Sequence, residues 1–534
     1  MIVDESPEVD PEAPRAEPSR VPVPAPWRAV AGLVSGAVAT TSGLVVAAIA
    51  EVASPIDAVG SSFIDRVPRW LKELAIDWFD TNDKTALRIG IVIVLALVAI
   101  AFGVASRERP TPLVAAIVAF AVIGSLSAAE RPGSTFWSVT APFVGAAVGV
   151  ATAVALLARL DSHWRRASRP GPSRAPEGWD RRGFLLTAGA LGGASVVAGV
   201  VGRRGEAARI ERIEEQRPEL LPSVEDSGPG VELLASDDGF HPSQPWITPT
   251  EDFYRIDTAL SFPRIDVADW KLTIDGLVDR PLEISWNELL ARPQVERVVT
   301  LCCVSNDVGG PYIGNAVWQG VLLSDLLDEA GVRPEAEQVF SRSLDGWTCG
   351  FPVPLALDGR DAMVAIGMNG EPLTILHGFP ARLVVPGLYG YVSATKWLSS
   401  ITLNRWDDDE GYWMPRGWSR LGPVKTQSRI DRPRRSEVVS SGSYRVAGVA
   451  WAQHTGIERV EVRVDDGDWN DAILSNDVTD DAWRQWVFEW DAQPGEHRLQ
   501  VRATDKSGYV QTETVQGVVP DGATGWHTRT VTVE

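Results

Sequence analysis

Two of the three cysteines in the chain, Cys302 and Cys303, are adjacent and stand at the end of an apolar run. Residues 298–301 have the aliphatic and β-branched side chains typical of a buried strand, and residues 304–310 (VSNDVGG) have the composition of a loop. A cysteine at the mouth of a strand presents its sulfur to that loop. Because a thiolate is a ligand that soft metals prefer, the pattern predicts a soft-metal site here.

Two segments further along the chain have a specific resemblance. Residues 315–323 read NAVWQGVLL, and residues 368–387 read MNGEPLTILHGFPARLVVPG. With the cysteine pair, and in this order, they resemble the molybdopterin domain of the sulfite oxidase family, over residues 241 to 403. The resemblance implies that Cys303 binds molybdenum, that Cys302 is the residue before the ligand, and that Cys349 is structural.

The same resemblance implies which residues hold the pterin and its phosphate. An arginine supplies a planar fork of donors for phosphate, and a lysine supplies a compact charge. Phe253 and Arg255 match an aromatic-X-Arg-Asn-His segment, from which Ile256 and Asp257 depart. The dipeptide Leu344-Asp345 also matches the family, so the resemblance assigns Asp345 to cofactor binding as well. The implied cofactor-binding set is Phe253, Arg255, Asp345, His377, Arg382, Ser393 and Lys396, with Cys303 and Arg255 as catalytic residues.

The implied reaction is oxygen-atom transfer at a molybdenum–molybdopterin centre, which does the chemistry while the protein orients it. Sulfite oxidases carry an arginine five residues after the cysteine, where this chain has Val308 preceded by Asp307. A carboxylate there disfavours a dianion. The expected substrate is therefore a small oxyanion such as sulfite or, as the alternative, an S- or N-oxide, for which an aromatic wall at residues 412–418 is suited.

The N-terminal part of the chain has five long segments without charge, at residues 29–50, 89–106, 111–129, 132–158 and 183–202. At about 1.5 Å rise per residue, segments of roughly 18 or more residues cross the hydrocarbon core of a bilayer as helices. The sequence therefore predicts a multi-pass membrane protein with five spans. A transporter is disfavoured, since four of the spans lack paired ionisable residues.

An arginine-rich loop precedes the fifth segment and carries Arg159, Arg165, Arg166, Arg169, Arg174, Arg181 and Arg182. The positive-inside rule places this loop, and with five spans also the N-terminus, in the cytoplasm. Arg181 and Arg182 precede Gly183-Phe184-Leu185 and resemble an internal twin-arginine export signal. The prediction is that everything after residue 204 is extracytoplasmic.

Composition divides the chain further. We predict a disordered tail at residues 1–26, the membrane region at 27–203, a tether at 204–240, an α+β catalytic domain at 241–424 and an immunoglobulin-like β-sandwich at 425–534. Apolar strand-length runs at 444–451, 457–464, 485–491 and 497–503 support the sandwich. In the resembling family this position holds a domain that mediates dimers, so a homodimer is expected.

Charge and histidine content exclude other classes. A formal net charge of −20 without a basic stripe in the exported part disfavours nucleic-acid binding. All six histidines lie outside the predicted spans, so no haem is expected and electrons pass to a separate partner. The alternative from another class is a tethered binding protein that has lost its cofactor.

Overall fold

The computed structural model describes residues 25–67, 71, 78, 83–107, 109–131, 134–167, 177–234, 244–263 and 265–534. The chain divides into two compact units, Met1–Ala208 and Arg209–Glu534, and their boundary falls within one helix. Residues 1–24 of the predicted tail, the predicted domain boundary at residue 241 and the Arg181 side chain lie outside the described part.

The first unit consists of helices α1 (Ala25–Ile49), α2 (Pro55–Arg66), α3 (Asp83–Ala105), α4 (Thr111–Ala129), α5 (Phe136–Ala167) and the greater part of α6 (Glu177–Glu214). Five helices, all except α2, contain stretches long and apolar enough to cross a membrane. Each of the five charge-free segments of the sequence thus forms one long helix, as predicted. The short α2 is capped by Ser54, whose hydroxyl accepts a hydrogen bond from the Asp57 amide at 3.0 Å.

Small residues let the helices of the first unit approach closely. A Cβ atom on Gly32 of α1 would lie 2.1 Å from the carbonyl oxygen of Ala99, and one on Gly145 of α5 would lie 2.3 Å from that of Ala39. Such backbone contact is typical of helix packing in lipid. Ion pairs join the connections at one end of the bundle: Arg88–Asp57 at 2.8 Å, Arg66–Glu130 at 2.7 Å and Arg131–Asp65 at 2.6 Å.

Two sheets form the α+β part of the second unit. The strands are β1 (Asp226–Ser227), β2 (Lys271–Gly276), β3 (Leu282–Ser285), β4 (Val295–Cys302), β5 (Ile313–Leu322), β6 (Gln338–Ser343), β7 (Thr348–Pro352), β8 (Met363–Met368), β9 (Glu371–Pro372), β10 (Arg382–Val384) and β11 (Leu398–Asn404). One sheet has the order β1-β4-β5-β8-β10, with β9 paired to β8, and the other has the order β3-β2-β11-β6-β7. β5 is central and buried along almost its whole length, and its two polar side chains, Asn315 and Gln319, donate hydrogen bonds to the Trp246 and Pro222 carbonyls.

Short helices connect these strands. They are α7 (Trp286–Leu290), α8 (Leu323–Ala330), α9 (Pro354–Leu357), α10 (Gly390–Ser393) and the 3₁₀ helices Val231–Leu234, Ile375–His377 and Met414–Arg416. α8 buries Leu323, Leu326 and Leu327 on one face and ends at Gly331 with φ of +72°. Helices and strands share one core, as the predicted α+β class requires.

The C-terminal part of the second unit has two further sheets around a core of their own. Its strands are β12 (Gln427–Arg432), β13 (Val438–Val439), β14 (Gly442–Trp451), β15 (Ile457–Val464), β16 (Asn470–Asp471), β17 (Ile473–Leu474), β18 (Arg484–Ala492), β19 (Gly495–Asp505) and β20 (His527–Val533). The sheet orders are β12-β14-β18-β17 and β13-β20-β19-β15-β16. Trp486 from one sheet and Leu499 from the other share this core, so the two sheets form a sandwich. All four strand-length runs form strands.

The segment assigned to a tether contains residues that pack into the second unit. Ile213 in the last turns of α6 is 2% exposed and belongs to the core of the α+β part, with Ile210 against it. The Glu214 carboxylate accepts a hydrogen bond from the Ile375 amide at 2.9 Å. β1 pairs in parallel with β4, Asp226 opposite Val295. Ile210 and Ile213 are three residues apart and therefore lie on the same face of α6, and β1 adds an edge strand to the sheet next to β4.

Candidate active site

The two adjacent cysteines lie on either side of the boundary between β4 and the loop that follows it. Cys302 is the last residue of the strand, is 2% exposed and belongs to the apolar core. Cys303 is the first residue of the loop, is 9% exposed, and its amide donates to the Tyr312 carbonyl at 2.9 Å. The Cys303 sulfur lies 2.9 Å from the Ser305 hydroxyl. Burial raises the pKa of both thiols, well above the usual range for Cys302, and for Cys303 the Ser305 hydroxyl opposes the shift.

A tight turn positions His377. The 3₁₀ helix Ile375–His377 ends at Gly378, whose φ of +114° favours glycine. The imidazole Nε2 lies 3.0 Å from the Thr250 carbonyl oxygen. Burial lowers the pKa of His377 to about 4, so the ring is neutral at pH 7. Because a carbonyl only accepts, Nε2 carries the proton and Nδ1 is left as an acceptor.

Arg382, at the start of β10, is a buried cation 6% exposed. Its guanidinium donates to the His377 carbonyl at 3.1 Å and lies 4.9 Å from the Trp318 ring centre. No carboxylate is its hydrogen-bond or ion-pair partner within the described residues, and burial lowers its pKa to about 10. A buried guanidinium without an acidic partner has a strong electrostatic preference for an anion.

Lys396 and Arg255 share one carboxylate. The Lys396 ammonium donates to Asp257 Oδ2 at 2.7 Å and to the Leu376 carbonyl at 3.2 Å. Arg255 Nε donates to the same Asp257 oxygen at 2.9 Å. Burial lowers the pKa of Lys396 to about 8, although the Asp257 charge opposes the shift. Asp257, a departure from the family motif, thus contacts two of the predicted cofactor-binding residues.

The Phe253 ring contacts His377, and Tyr254, which stacks on Phe253 at 5.2 Å, was not anticipated from the sequence. The Phe253 ring lies edge to face with His377 at 5.8 Å and with Trp318 at 5.7 Å. Burial raises the pKa of Tyr254 well above its usual value; the charges of Cys303 and Cys302 raise it further and that of Arg382 lowers it. The Tyr254 phenol therefore lies within electrostatic reach of both Cys303 and Arg382. Its position inside the aromatic-X-Arg segment was the available signal.

Two predicted cofactor residues have other contacts. Asp345 accepts a hydrogen bond from the Trp347 amide at 2.9 Å, and burial raises the pKa of its carboxyl. The Lys396 charge also acts on Asp345, which places this carboxyl near the Lys396 site. Ser393 is fully buried, and its hydroxyl donates to the Tyr389 carbonyl at 3.0 Å within the turn of α10.

An aromatic cluster lies on the segment from Tyr412 to Trp418. The Trp413 and Trp418 rings are 6.0 Å apart, and Tyr391 lies 5.6 Å from Trp418. The Arg416 guanidinium is stacked 3.7 Å from the Tyr412 ring centre. Arg420 is stacked in the same way, 5.1 Å from Trp406. Arg416 and Arg420 are thus held by aromatic rings, whereas Arg255 is held by Asp257.

The cysteine that was interpreted as structural is buried against hydroxyl groups. The Cys349 sulfur lies 3.3 Å from the Ser341 hydroxyl and 3.2 Å from that of Thr395, and burial raises its pKa to about 11. Across the described ranges, no group of three or more His, Cys, Asp or Glu side chains could hold a metal ion by itself.

Comparison with known proteins agrees with this geometry. Residues 259–413 match the model of the oxidoreductase molybdopterin binding domain, and residues 422–534 match that of the Mo-co oxidoreductase dimerisation domain. These two domains define a molybdopterin-dependent oxidoreductase. The chain belongs to the sulfite oxidase family of such enzymes, and its cofactor is the molybdenum cofactor. Phe253, Tyr254 and Arg255 precede the matched range.

The chain covers different shares of its relatives' sequences. The chain is 38% identical over 157 residues to the uncharacterized oxidoreductase YuiH of Bacillus subtilis, which is 29% of this chain and 76% of that protein. It is 30% identical to sulfite oxidase of Gallus gallus, over 56% of this chain and 74% of that enzyme. With mitochondrial sulfite oxidase of Homo sapiens it shares 30% identity over 51% of this chain, but only 58% of the human enzyme is covered. The sulfane dehydrogenase SoxCD of Paracoccus pantotrophus is similar over 57% of this chain and 85% of its own, at 26% identity and a TM-score of 0.48.

Proposed function

We propose that this chain is a membrane-anchored oxidoreductase that transfers an oxygen atom at a molybdenum–pterin centre held by Cys303. The observation that carries the proposal is a buried guanidinium without a carboxylate partner among the described residues, in the same domain as a thiol at the end of a strand. The guanidinium is that of Arg382, whose hydrogen bonds go to carbonyl groups, and the thiol is that of Cys303, the first residue after β4. A soft ligand together with a buried cation that has no carboxylate partner among the described residues fits a metal carried by an anionic cofactor.

The chain's cations would hold that cofactor. Arg382, which has no carboxylate partner among the described residues, would bind the terminal phosphate, and Lys396, which donates to the Leu376 carbonyl, would add a second positive charge. Neutral His377 would offer Nδ1 as an acceptor to the pterin. Phe253, Arg255, Asp345 and Ser393 are the further residues that the family resemblance assigns to cofactor binding. Gly378 is required at its position because a Cβ there would lie 3.0 Å from the Arg382 side chain.

When bound, the cofactor supplies a two-electron metal centre that exchanges an oxygen atom with the substrate. The chain contributes the geometry. Cys303, the first residue after β4, would hold the metal through its sulfur. Tyr254 stays protonated, because burial raises its pKa, so its hydroxyl remains a hydrogen-bond donor.

The leading substrate class is a small oxyanion of the sulfite type, as for the sulfite oxidases to which the chain is similar. One observation favours a neutral S- or N-oxide as the second candidate. Arg416 and Arg420 stack on aromatic rings, Arg255 is paired with Asp257, and Val308 stands where a cation is needed for a dianion. The wall of Trp413, Trp418 and Tyr391 suits an uncharged substrate.

For the membrane unit we propose an anchor of five spans, with the catalytic unit on the extracytoplasmic side. Its length and apolar composition support spanning, and the basic loop ahead of α6 supports the sidedness. Electrons pass to or from a separate partner, since all six histidines lie outside the spans. The sandwich, which we propose is immunoglobulin-like, supports a homodimer through its match to a dimerisation domain.

The test is metal and pterin analysis of the purified full chain, followed by turnover assays with sulfite and a panel of S- and N-oxides. We expect molybdenum and pterin at one per chain, no haem absorption, and activity with one substrate class. The matched control is the Cys303→Ser variant. A protein that folds but contains neither metal nor pterin when produced with an intact cofactor supply would instead support a tethered binding protein.

A further inference from the structure

The loop that carries Cys303 is contacted by the C-terminal sandwich. Arg429 of β12 donates from Nη1 to the Gly310 carbonyl at 2.8 Å. Its Nε donates to Asp431 at 2.6 Å, and the whole side chain is buried. A guanidinium held at one edge by a carboxylate is fixed in orientation, so its other edge is a rigid donor for the loop.

A second sandwich residue lies against the neighbouring position of the loop. Gly309 has φ of +77°, and a Cβ atom there would lie 2.3 Å from the His527 ring. His527 Nδ1 accepts a hydrogen bond from the Ile430 amide at 2.9 Å, which fixes the ring plane. Burial lowers the pKa of His527 to about 3, so a neutral imidazole packs directly on the Gly309 backbone.

The strand that leads into Cys303 is bound to the sandwich as well. Thr300, three residues before Cys303, donates its amide proton to the Asp481 carbonyl at 2.9 Å. Its carbonyl accepts from Gln453 at 3.1 Å, and its hydroxyl accepts from the Trp483 amide at 2.7 Å. The sandwich thus contacts the chain on both sides of Cys303.

We propose that Arg429 and His527 are positioning residues for Cys303, so that the sandwich sets the orientation of the sulfur presented to the metal. The proposal rests on the proposed function of Cys303 as the metal ligand. Within the loop itself, the Cys303 amide is bonded to Tyr312 and the Gly310 amide to Asp307. These internal bonds close the loop, while the sandwich residues fix its tip relative to the rest of the unit.

The test compares Arg429→Ala and Arg429→Lys with Arg445→Ala in the full chain. Arg445 is an exposed arginine of the adjacent strand β14, paired with Glu489 at 2.9 Å, and serves as the matched control. The first readout is the alkylation rate of Cys303 by iodoacetamide in cofactor-free protein, located by tandem mass spectrometry. We expect about a tenfold faster rate in Arg429→Ala, as for loss of a charge-assisted hydrogen bond worth about 1.4 kcal/mol.

The second readout is the thiolate-to-molybdenum absorption of the loaded protein. We expect this band to shift in Arg429→Ala, to be largely restored in Arg429→Lys and to be unchanged in Arg445→Ala. The substitution Gly309→Ala changes the loop and not the sandwich. It should also make the alkylation faster, because the added methyl group would displace His527. A lower melting temperature with unchanged alkylation and absorption would show that Arg429 is merely structural and would overturn the proposal. If Cys303→Ser leaves the absorption unchanged, Cys303 is not the metal ligand. The alkylation rates would still show whether Arg429 and His527 position Cys303.

Discussion

The Asp257 carboxylate accepts a hydrogen bond from the Lys396 ammonium at 2.7 Å, and the two side chains are 5% and 10% exposed. An ion pair this buried is retained only where the geometry compensates for desolvation. It places a negative charge beside the cations that we propose hold an anionic phosphate. Asp257 therefore keeps Lys396 charged in the absence of the cofactor, at the expense of part of the attraction for it.

Replacing Asp257 with Asn should make cofactor retention sensitive to pH. Burial lowers the pKa of Lys396 from 10.5 to about 8, and Asp257 opposes the shift while Arg382 and Arg255 reinforce it. Without the carboxylate the Lys396 pKa falls further. The lysine then loses its proton below pH 8, so the phosphate should dissociate from the variant at a lower pH than from the natural chain. Pterin release measured by fluorescence between pH 6 and 9 checks this, with the exposed Asp279→Asn as control.

The same shift predicts how the cofactor-free protein responds to alkali. Between pH 8 and 10.5 the unfolded chain binds a proton at Lys396 that the folded chain does not. Stability should therefore rise with pH across this window. Urea unfolding of the cofactor-free catalytic unit is the measurement. A contribution that falls with pH, and that disappears in Lys396→Met, would contradict the assignment.

Cys303→Ser should abolish turnover while pterin content stays largely intact. A serine oxygen is a harder ligand than a thiolate, so the metal's electronic structure changes while Arg382, Lys396 and His377 still hold the pterin. Cys302→Ser should keep most activity and lose about 2 kcal/mol of stability, since it puts a hydroxyl into an apolar core. Activity, pterin fluorescence and unfolding of both variants decide the point. Reversed phenotypes would mean that Cys302 is the ligand.

Arg382→Gln should weaken cofactor binding by about 100-fold, or about 3 kcal/mol, because a buried phosphate would lose its main cation. Arg360 supplies the matched control, since its guanidinium is almost equally buried but is paired with Asp358 at 2.6 Å. Arg360→Gln should lower stability without releasing pterin. If Arg382→Gln retained as much pterin as Arg360→Gln, Arg382 would not be a phosphate-binding residue. Equilibrium dialysis with pterin fluorescence gives both affinities.

Lysine at positions 181 and 182 should prevent export. The charge of the basic loop is unchanged by Arg181→Lys and Arg182→Lys, so a pure topology signal would still work, whereas a twin-arginine signal would not. Protease added outside intact cells should digest the catalytic unit of the natural chain only. If the protease digested the natural chain and the variant alike, the arginine pair would be a topology determinant and not an export signal.

Local patterns of the sequence were sufficient for the long helices, the main strands of the sandwich and the strand-end position of Cys303. Each of these depends on residues close together in the chain, such as an apolar run followed by a Gly-rich loop. The turn that carries His377 and Arg382 also follows from local chemistry, because Gly378 takes a positive φ between them.

Contacts between distant residues could not be predicted in this way. Lys396 and Asp257 are 139 residues apart, and Arg429 and Gly310 are 119 apart. No spacing rule connects such pairs, since tertiary packing alone brings them together. Asp257 was not assigned a role because it departs from the family motif, and Tyr254 was not named because it stands at the unspecified position X of the aromatic-X-Arg segment. Both of their contacts depend on how residues 250–257 fold over the turn at His377.

The integration of residues 209–227 into the catalytic core has a practical corollary for proteolytic shedding. A fragment cut at residue 240 and recovered alone would lack Ile213 from its core and the Glu214 carboxylate that holds the Ile375 amide, two residues before His377. It would also lack β1, and the free edge of β4 would invite association with other chains. If the first unit is the membrane anchor that we propose, release of an intact catalytic unit therefore requires scission ahead of Arg209, inside a helix and not in an open linker.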